Sequence, residues 1–195
     1  MIPAILLIVA AVAYRIVTGL AITSGTTALS NFAPMAAIAL CAAAYFPAKY
    51  RFTVPMIALL VSDVVLNTFY GFSLLSPFVL SHYVGFALVG VVGLLLRDRA
   101  SVKTMLPASI AASVLFYVVT GTVSWLFDPG YPKGVAGLFQ SLTVGVSAYS
   151  ATPSWMFFRN SVVSDLLFTG LFIVCFHLGR ASQPARATAA QPRTT

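Results

Sequence analysis

The sequence predicts an all-α integral membrane protein with six transmembrane helices and both termini in the cytoplasm. Of its 195 residues, 59% are hydrophobic and 8% are charged, whereas a soluble domain carries about 25% charged residues. The chain has no Glu, and its only acids are Asp63, Asp98, Asp128 and Asp165. At about 20 residues for each spanning helix, this length leaves no room for a soluble catalytic domain or a nucleic-acid-binding module.

The first two apolar segments, residues 3–22 and 32–47, predict the first two helices. Because the first cation is Arg15, the positive region that begins a signal peptide is missing, which favours a retained helix. The second segment is rich in alanine. That composition is typical of close helix packing and less so of lipid contact.

Four further segments, at 52–70, 77–96, 105–127 and 155–179, complete one transmembrane domain over residues 1–180. Residues 135–153 are apolar enough for a marginal seventh span. A seventh span would place the basic C-terminal tail outside, against the charge rule for loops. We therefore predict an outer-face loop over 128–154 with a short helix at the membrane surface. Residues 181–195 lack apolar periodicity, which predicts a disordered cytoplasmic tail.

The cations of the predicted loops determine the orientation. The loops at 23–30 and 71–76 carry no charge, and the outer side receives only Lys133 and Arg159. Because Lys and Arg concentrate in cytoplasmic loops, the other eight loop cations predict cytoplasmic termini. Those eight are Lys49, Arg51, Arg97, Arg99, Lys103, Arg180, Arg186 and Arg193.

Polar side chains converge on the outer half of the predicted bundle. Ionisable groups inside a membrane cost about 2.5–3.5 kcal/mol on insertion scales and mark functional sites or buried pairs. Their depths predict a cavity open to the outside and floored by Arg15 with Asp63 or Asp165. Such a cavity would bind a small molecule that arrives from outside. The predicted site residues are Arg15, Asn31, Asp63, His82, Tyr83, Trp125, Asn160 and Asp165.

Simpler interpretations of the same residues remain. Arg15 with an aspartate is equally consistent with a structural ion pair between helices. His82 at a helix start is also consistent with an interfacial side chain. Trp125 and Tyr83 suit an ordinary aromatic belt. Cys41 and Cys175 lie in apolar stretches, so we expect no disulfide and no metal site.

The chain carries no signature of an enzyme. Asp63 and Asp165 each follow Val-Ser, whereas the aspartates of intramembrane aspartyl proteases lie in a Gly-x-Gly-Asp motif. No serine-hydrolase elbow, zinc-protease motif or phosphate-binding glycine loop is present. We therefore expect neither catalysis nor a cofactor.

Several spaced motifs resemble an uncharacterised family of small bacterial inner-membrane proteins. The run 31–72 contains Asn-Phe-x-Pro, then Ala-rich sequence, Val-Pro and Ser-Asp. Later come Phe116-Tyr117 with Thr120 and Trp125, Tyr131-Pro132-Lys133, Asn160, and Ser164-Asp165. The resemblance covers about residues 15–175.

That family is similar in turn to the substrate-binding S components of energy-coupling-factor (ECF) transporters. The resemblance implies capture of a vitamin-like small molecule or a metal ion from outside the cell. It also implies a place in the inner (plasma) membrane and partnership with a T component and two ATPase subunits. The first segment lacks the Ala-x-x-x-Ala face on which many S components dock.

Two other functions stay open on the sequence. One is a structural or assembly protein of the lipid bilayer without a transported ligand. The other is a self-sufficient carrier that couples transport to protons through its two aspartates.

Overall fold

The structure, a computed structural model, describes residues 2–21 and 31–181 and contains seven helices in this part of the chain. The predictions for the loop at 23–30 and for the tail beyond residue 181 lie outside the described residues. No strand occurs between the helices of the described ranges, so the prediction of an all-α fold is confirmed. The helices are α1 (Ile2–Ala21), α2 (Met35–Tyr45), α3 (Thr53–Tyr70), α4 (Pro77–Leu96), α5 (Val102–Phe127), α6 (Val135–Ser141) and α7 (Ser154–Ala181).

Five of these helices, α1, α3, α4, α5 and α7, are long and apolar enough to cross a membrane. Their outward surfaces carry large apolar side chains such as Leu95, which is 78% exposed, and Leu178, which is 59% exposed. A soluble protein could not leave so much apolar surface in water. The membrane character that the composition predicts is therefore confirmed.

The second predicted span is shorter than expected. α2 has 11 residues, or about 16 Å at 1.5 Å per residue, against a hydrocarbon core of about 30 Å. Pro34 precedes its first turn and Pro47 follows its end, and proline both lacks the N–H and restricts the residue before it. Six helices of spanning length are therefore not confirmed, and the described residues contain five.

α2 lies at the centre of the bundle. Every residue from Ala36 to Ala44 is buried, and the helix packs against α4, α7 and α5. At Gly93 of α4, an added Cβ would lie 2.4 Å from the backbone oxygen of Leu40. The Ala-rich sequence of α2 thus serves close backbone approach, as small residues do in membrane bundles.

Local signals explain most helix ends. α3 ends at Gly71, whose φ of 73° lies in the left-handed region that favours glycine. α4 begins after Ser76, whose side chain accepts a hydrogen bond from the Val79 amide. α5 begins three residues before the predicted boundary because Ser101 and Thr104 form a reciprocal capping box.

The segment 128–153 contains one short helix, α6, of seven residues. At about 10 Å in length, α6 is too short to cross a membrane. The segment is tied to the end of α5, because Lys133 donates to the carbonyl oxygens of Trp125 and Asp128 at 2.6 and 2.8 Å. Tyr149 donates to Asp128 at 3.0 Å, and this hydrogen bond raises the pKa of Tyr149.

The bundle has two chemically different ends. We call one the loop end, formed by residues 31–34, 71–76 and 128–153. We call the other the basic end, where the connections at 46–52 and 97–101 lie. Among the described residues, the cations of the basic end are Lys49, Arg51, Arg97, Arg99, Lys103 and Arg180.

Candidate functional site

A cavity of about 130 Å³ lies at the loop end of the bundle, among α1, α2, α3, α4, α5 and α7. Four predicted site residues line it, namely Arg15, Asn31, His82 and Asp165. Two nonhelical residues, Asn31 and Ala33, belong to its wall. Irregular backbone at membrane depth is tolerated where it lines such a cavity. The other lining residues are Ala33, Met35, Ala36, Leu59, Ser113, Phe116, Tyr117, Thr120 and Ser161.

Arg15 connects the cavity to α3. Its Nη2 donates to Asp63 Oδ1 at 2.8 Å, and its Nη1 donates to the hydroxyl of Ser62. Asp63 is 1% exposed, while the Arg15 side chain is 16% exposed. The Asp63 Oδ2 atom has no hydrogen-bond partner within the described residues. The sequence left Asp63 and Asp165 as candidate partners of Arg15. In the structure, Arg15 pairs with Asp63.

Asp165 joins α7 to the beginning of α2. Its Oδ1 accepts from the Ala37 amide at 2.9 Å, and its Oδ2 accepts from the Ser113 hydroxyl at 2.6 Å. Pro34, at the N-cap position of α2, supplies no side-chain hydrogen bond. Asp165 therefore accepts a hydrogen bond from the first turn of α2, where the preceding residue offers no side-chain acceptor.

His82 and Phe116 form an aromatic wall. Their rings are stacked with centroids 5.9 Å apart, and His82 Nδ1 is buried without a hydrogen-bond partner in the described part of the chain. The neighbouring Tyr117 donates to the carbonyl oxygen of Leu142 at 3.1 Å. This contact links the cavity wall to the segment at 128–153.

The structure does not bring all predicted site residues to the cavity wall. Asp63 lies behind Arg15, and Tyr83 lies near Asp63. Trp125 donates to the carbonyl oxygen of Pro132 at 3.0 Å, so it holds the loop. Asn160 is buried and accepts hydrogen bonds from Arg159. None of these four is among the lining residues.

Sequence reasoning missed the contribution of α5. Ser113, Phe116, Tyr117 and Thr120 all line the cavity, and their spacing of three to four residues places them on one helix face. That face could have been found from the polar and aromatic residues at this spacing. Nothing in the sequence, however, indicated that α5 turns this face toward Asp165.

Below the cavity, polar side chains continue between helices. Thr169 of α7 donates to the hydroxyl of Ser109 of α5 at 3.2 Å, and the Cys41 thiol of α2 lies 3.9 Å from Thr169. These groups give α2, α5 and α7 interhelical hydrogen bonds in an otherwise apolar interior. The described residues hold no group of three His, Cys, Asp or Glu side chains suited to a metal ion.

Comparison with known proteins identifies a family but no function. No curated protein and no solved structure matches the chain, so the similarity to ECF S components stays a hypothesis. Residues 1–187 match a family of unknown function, DUF6580. This match agrees with the resemblance to an uncharacterised membrane family. The chain belongs to the DUF6580 family.

Proposed function

We propose that the protein captures a small molecule in the cavity at the loop end and serves its uptake across the membrane. One observation carries this proposal: Arg15, His82 and Asp165 border a single cavity inside a bundle whose surface is apolar. Ionisable groups at membrane depth are costly unless they line a water-filled site or bind a partner. Their convergence from three helices therefore favours a binding site.

The dimensions of the cavity limit its cargo. At about 130 Å³, it is smaller than the roughly 300–1,000 Å³ of pockets for drug-sized ligands. A compact molecule with few heavy atoms fits this space. A vitamin-sized cargo would need the loop end to open.

The proposal includes the orientation of the chain. Of the described loop cations, six lie at the basic end, while Lys133 and Arg159 lie at the loop end. Lys and Arg concentrate in cytoplasmic loops, so the cavity would open to the outside. Residues 31–47, an irregular start followed by α2, would make the sixth crossing in the inner membrane.

Single cysteines test this orientation. After Cys41→Ala and Cys175→Ala, we expect Ser73→Cys to react with a membrane-impermeant maleimide in intact spheroplasts. Lys49→Cys should react only after the membrane is permeabilised. Both positions are exposed at their ends of the bundle. The reverse labelling pattern would overturn the orientation.

The S-component hypothesis adds partners to this proposal. A T component with two ATPase subunits would energise transport, since the chain has no phosphate-binding glycine loop of its own. Uptake into cells should then fall when ATP is depleted and should survive collapse of the proton gradient. The opposite result would favour a self-sufficient proton-coupled carrier.

The binding proposal is tested by mass spectrometry of small molecules retained by the protein purified in mild detergent. We expect a stoichiometric compound that is lost in Asp165→Asn, because Asp165 borders the cavity. Asp63→Asn should also reduce retention by releasing Arg15. The matched control is Asp98→Asn, the same chemical change at an exposed position of the basic end, which should retain the compound.

A structural role is the second candidate function. It is favoured by the fact that both membrane-embedded aspartates have partners within the protein, Asp63 with Arg15 and Asp165 with α2 and Ser113. Under this alternative, neither the purified protein nor the Asp98→Asn control would retain a compound. Both Asp63→Asn and Asp165→Asn would then change only the stability of the bundle.

A further inference from the structure

The charges around the cavity do not cancel. Arg15 is neutralised by Asp63, whereas Asp165 has no ion-pair partner within residues 2–21 and 31–181. The groups that contact its carboxylate, the Ser113 hydroxyl and the Ala37 amide, are uncharged donors. The N-terminus of α2 supplies only about half a positive charge. An ionised Asp165 therefore leaves about half a negative charge beside the cavity.

Within the described residues, no neighbouring helix supplies a free cation to Asp165. α1 presents Arg15, which is already paired, and α5 presents Tyr117, which is not a cation. α2 places the Cys41 thiol within electrostatic range of Asp165. α4 presents His82, an imidazole that carries no permanent charge and whose Nδ1 has no hydrogen-bond partner within the described residues.

The remaining wall suits a compact cation with apolar surface. Phe116, Tyr117 and the ring of His82 provide aromatic faces, which attract ammonium groups through cation–π interaction. Thr120 and Ser161 add hydroxyl groups toward the loop end. An anion would find no unpaired cation on this wall, because Arg15 is already paired with Asp63.

We propose, on the basis of the proposed function, that the cargo is a small organic cation, a protonated amine or a quaternary ammonium compound, whose charge is balanced by Asp165. In the empty protein, a proton occupies this carboxyl group, because a carboxylate that is 1% exposed and has no ion-pair partner within the described residues is costly to keep charged. When the cation binds, the O–H bond breaks, the proton passes to water at the loop end, and the electron pair stays on the carboxylate. No covalent bond to the cargo forms. Because the cation and the proton neutralise the same carboxylate, they compete for one site.

The test uses the full-length protein in lipid nanodiscs and three probes of similar size. Choline is the cation, 3,3-dimethylbutan-1-ol is its uncharged carbon isostere, and butyrate is the anion. By isothermal titration calorimetry, choline should bind and the two others should not. Because one proton is released, its apparent Kd should fall as the pH rises, by up to about tenfold per pH unit where the empty protein holds that proton.

Variants identify the group that is responsible. Asp165→Asn should abolish choline binding, and Asp98→Asn should not change it. His82→Gln should keep the pH dependence, since the competing proton is placed on Asp165. Should Asp165→Asn fail to fold, Phe116→Leu provides an independent arm and should weaken choline binding about fivefold through the lost aromatic face.

The outcomes separate this inference from the proposed function. One-to-one binding of butyrate or of the uncharged isostere would overturn the cationic cargo and leave small-molecule capture intact. Choline binding that does not change with pH, or that loses its pH dependence in His82→Gln, would overturn competition at Asp165. If no probe binds and the purified protein retains no compound, both proposals fail.

Discussion

Replacing Arg15 with Gln should lower the free energy of unfolding by about 3–5 kcal/mol, the cost of leaving one partner of a buried ion pair alone. Asp63 is 1% exposed, and Arg15 is its only ion-pair partner within the described residues. Gln cannot supply the positive charge, so the buried Asp63 carboxylate would be left without a counter-charge. Reversible unfolding in mixed micelles, followed by tryptophan fluorescence, measures the change.

The control for this prediction removes both charges. The double variant Arg15→Gln with Asp63→Asn should recover much of the stability lost in Arg15→Gln, because no buried charge is then left without a partner. Ser62 can still bond to the carbonyl oxygens of Ala58 and Leu59, as it does here. Equal instability of the single and the double variant would contradict the ion pair.

The properties that the sequence predicts well depend on composition and on short-range signals. Membrane character follows from the scarcity of charge, and helix ends follow from residues such as Gly71 and Ser76 that cap or turn the backbone locally. The convergence of Arg15, His82 and Asp165 was also predictable, since depth along a helix follows from counting residues from its end. These inferences need no knowledge of which helices are neighbours.

The rest depends on the arrangement of the helices. Asp165 and Ala37 are 128 positions apart in the chain. No local pattern therefore reveals that Asp165 accepts a hydrogen bond from the first turn of α2. Depth alone could not decide between Asp63 and Asp165 as the partner of Arg15, because both lie near the same level. The cavity-facing side of α5 was missed for a related reason, since its polar residues gain meaning only beside α2 and α7.

The close contact between α2 and α4 makes Gly93→Ala the second strongly disruptive substitution. The new Cβ would lie 2.4 Å from the backbone oxygen of Leu40 and 2.9 Å from the Cβ of Ala43. Backbone cannot rotate away as a side chain does, so α2 has to move. Overpacking of this kind costs about 1–3 kcal/mol, and we expect the same loss in the free energy of unfolding.

Gly170→Ala is the matched control, because a Cβ at Gly170 of α7 would meet nothing within 4 Å. Alanine is the better helix former by about 0.5–1 kcal/mol, so this variant should be as stable as the parent or more so. The pair also bears on function, since α2 carries both Ala36 of the cavity wall and the Ala37 amide bonded to Asp165. If α2 shifts in Gly93→Ala, retention of the cargo should fall, while Gly170→Ala should retain it. Equal stability of the two variants would show that α2 and α4 do not approach as closely as described.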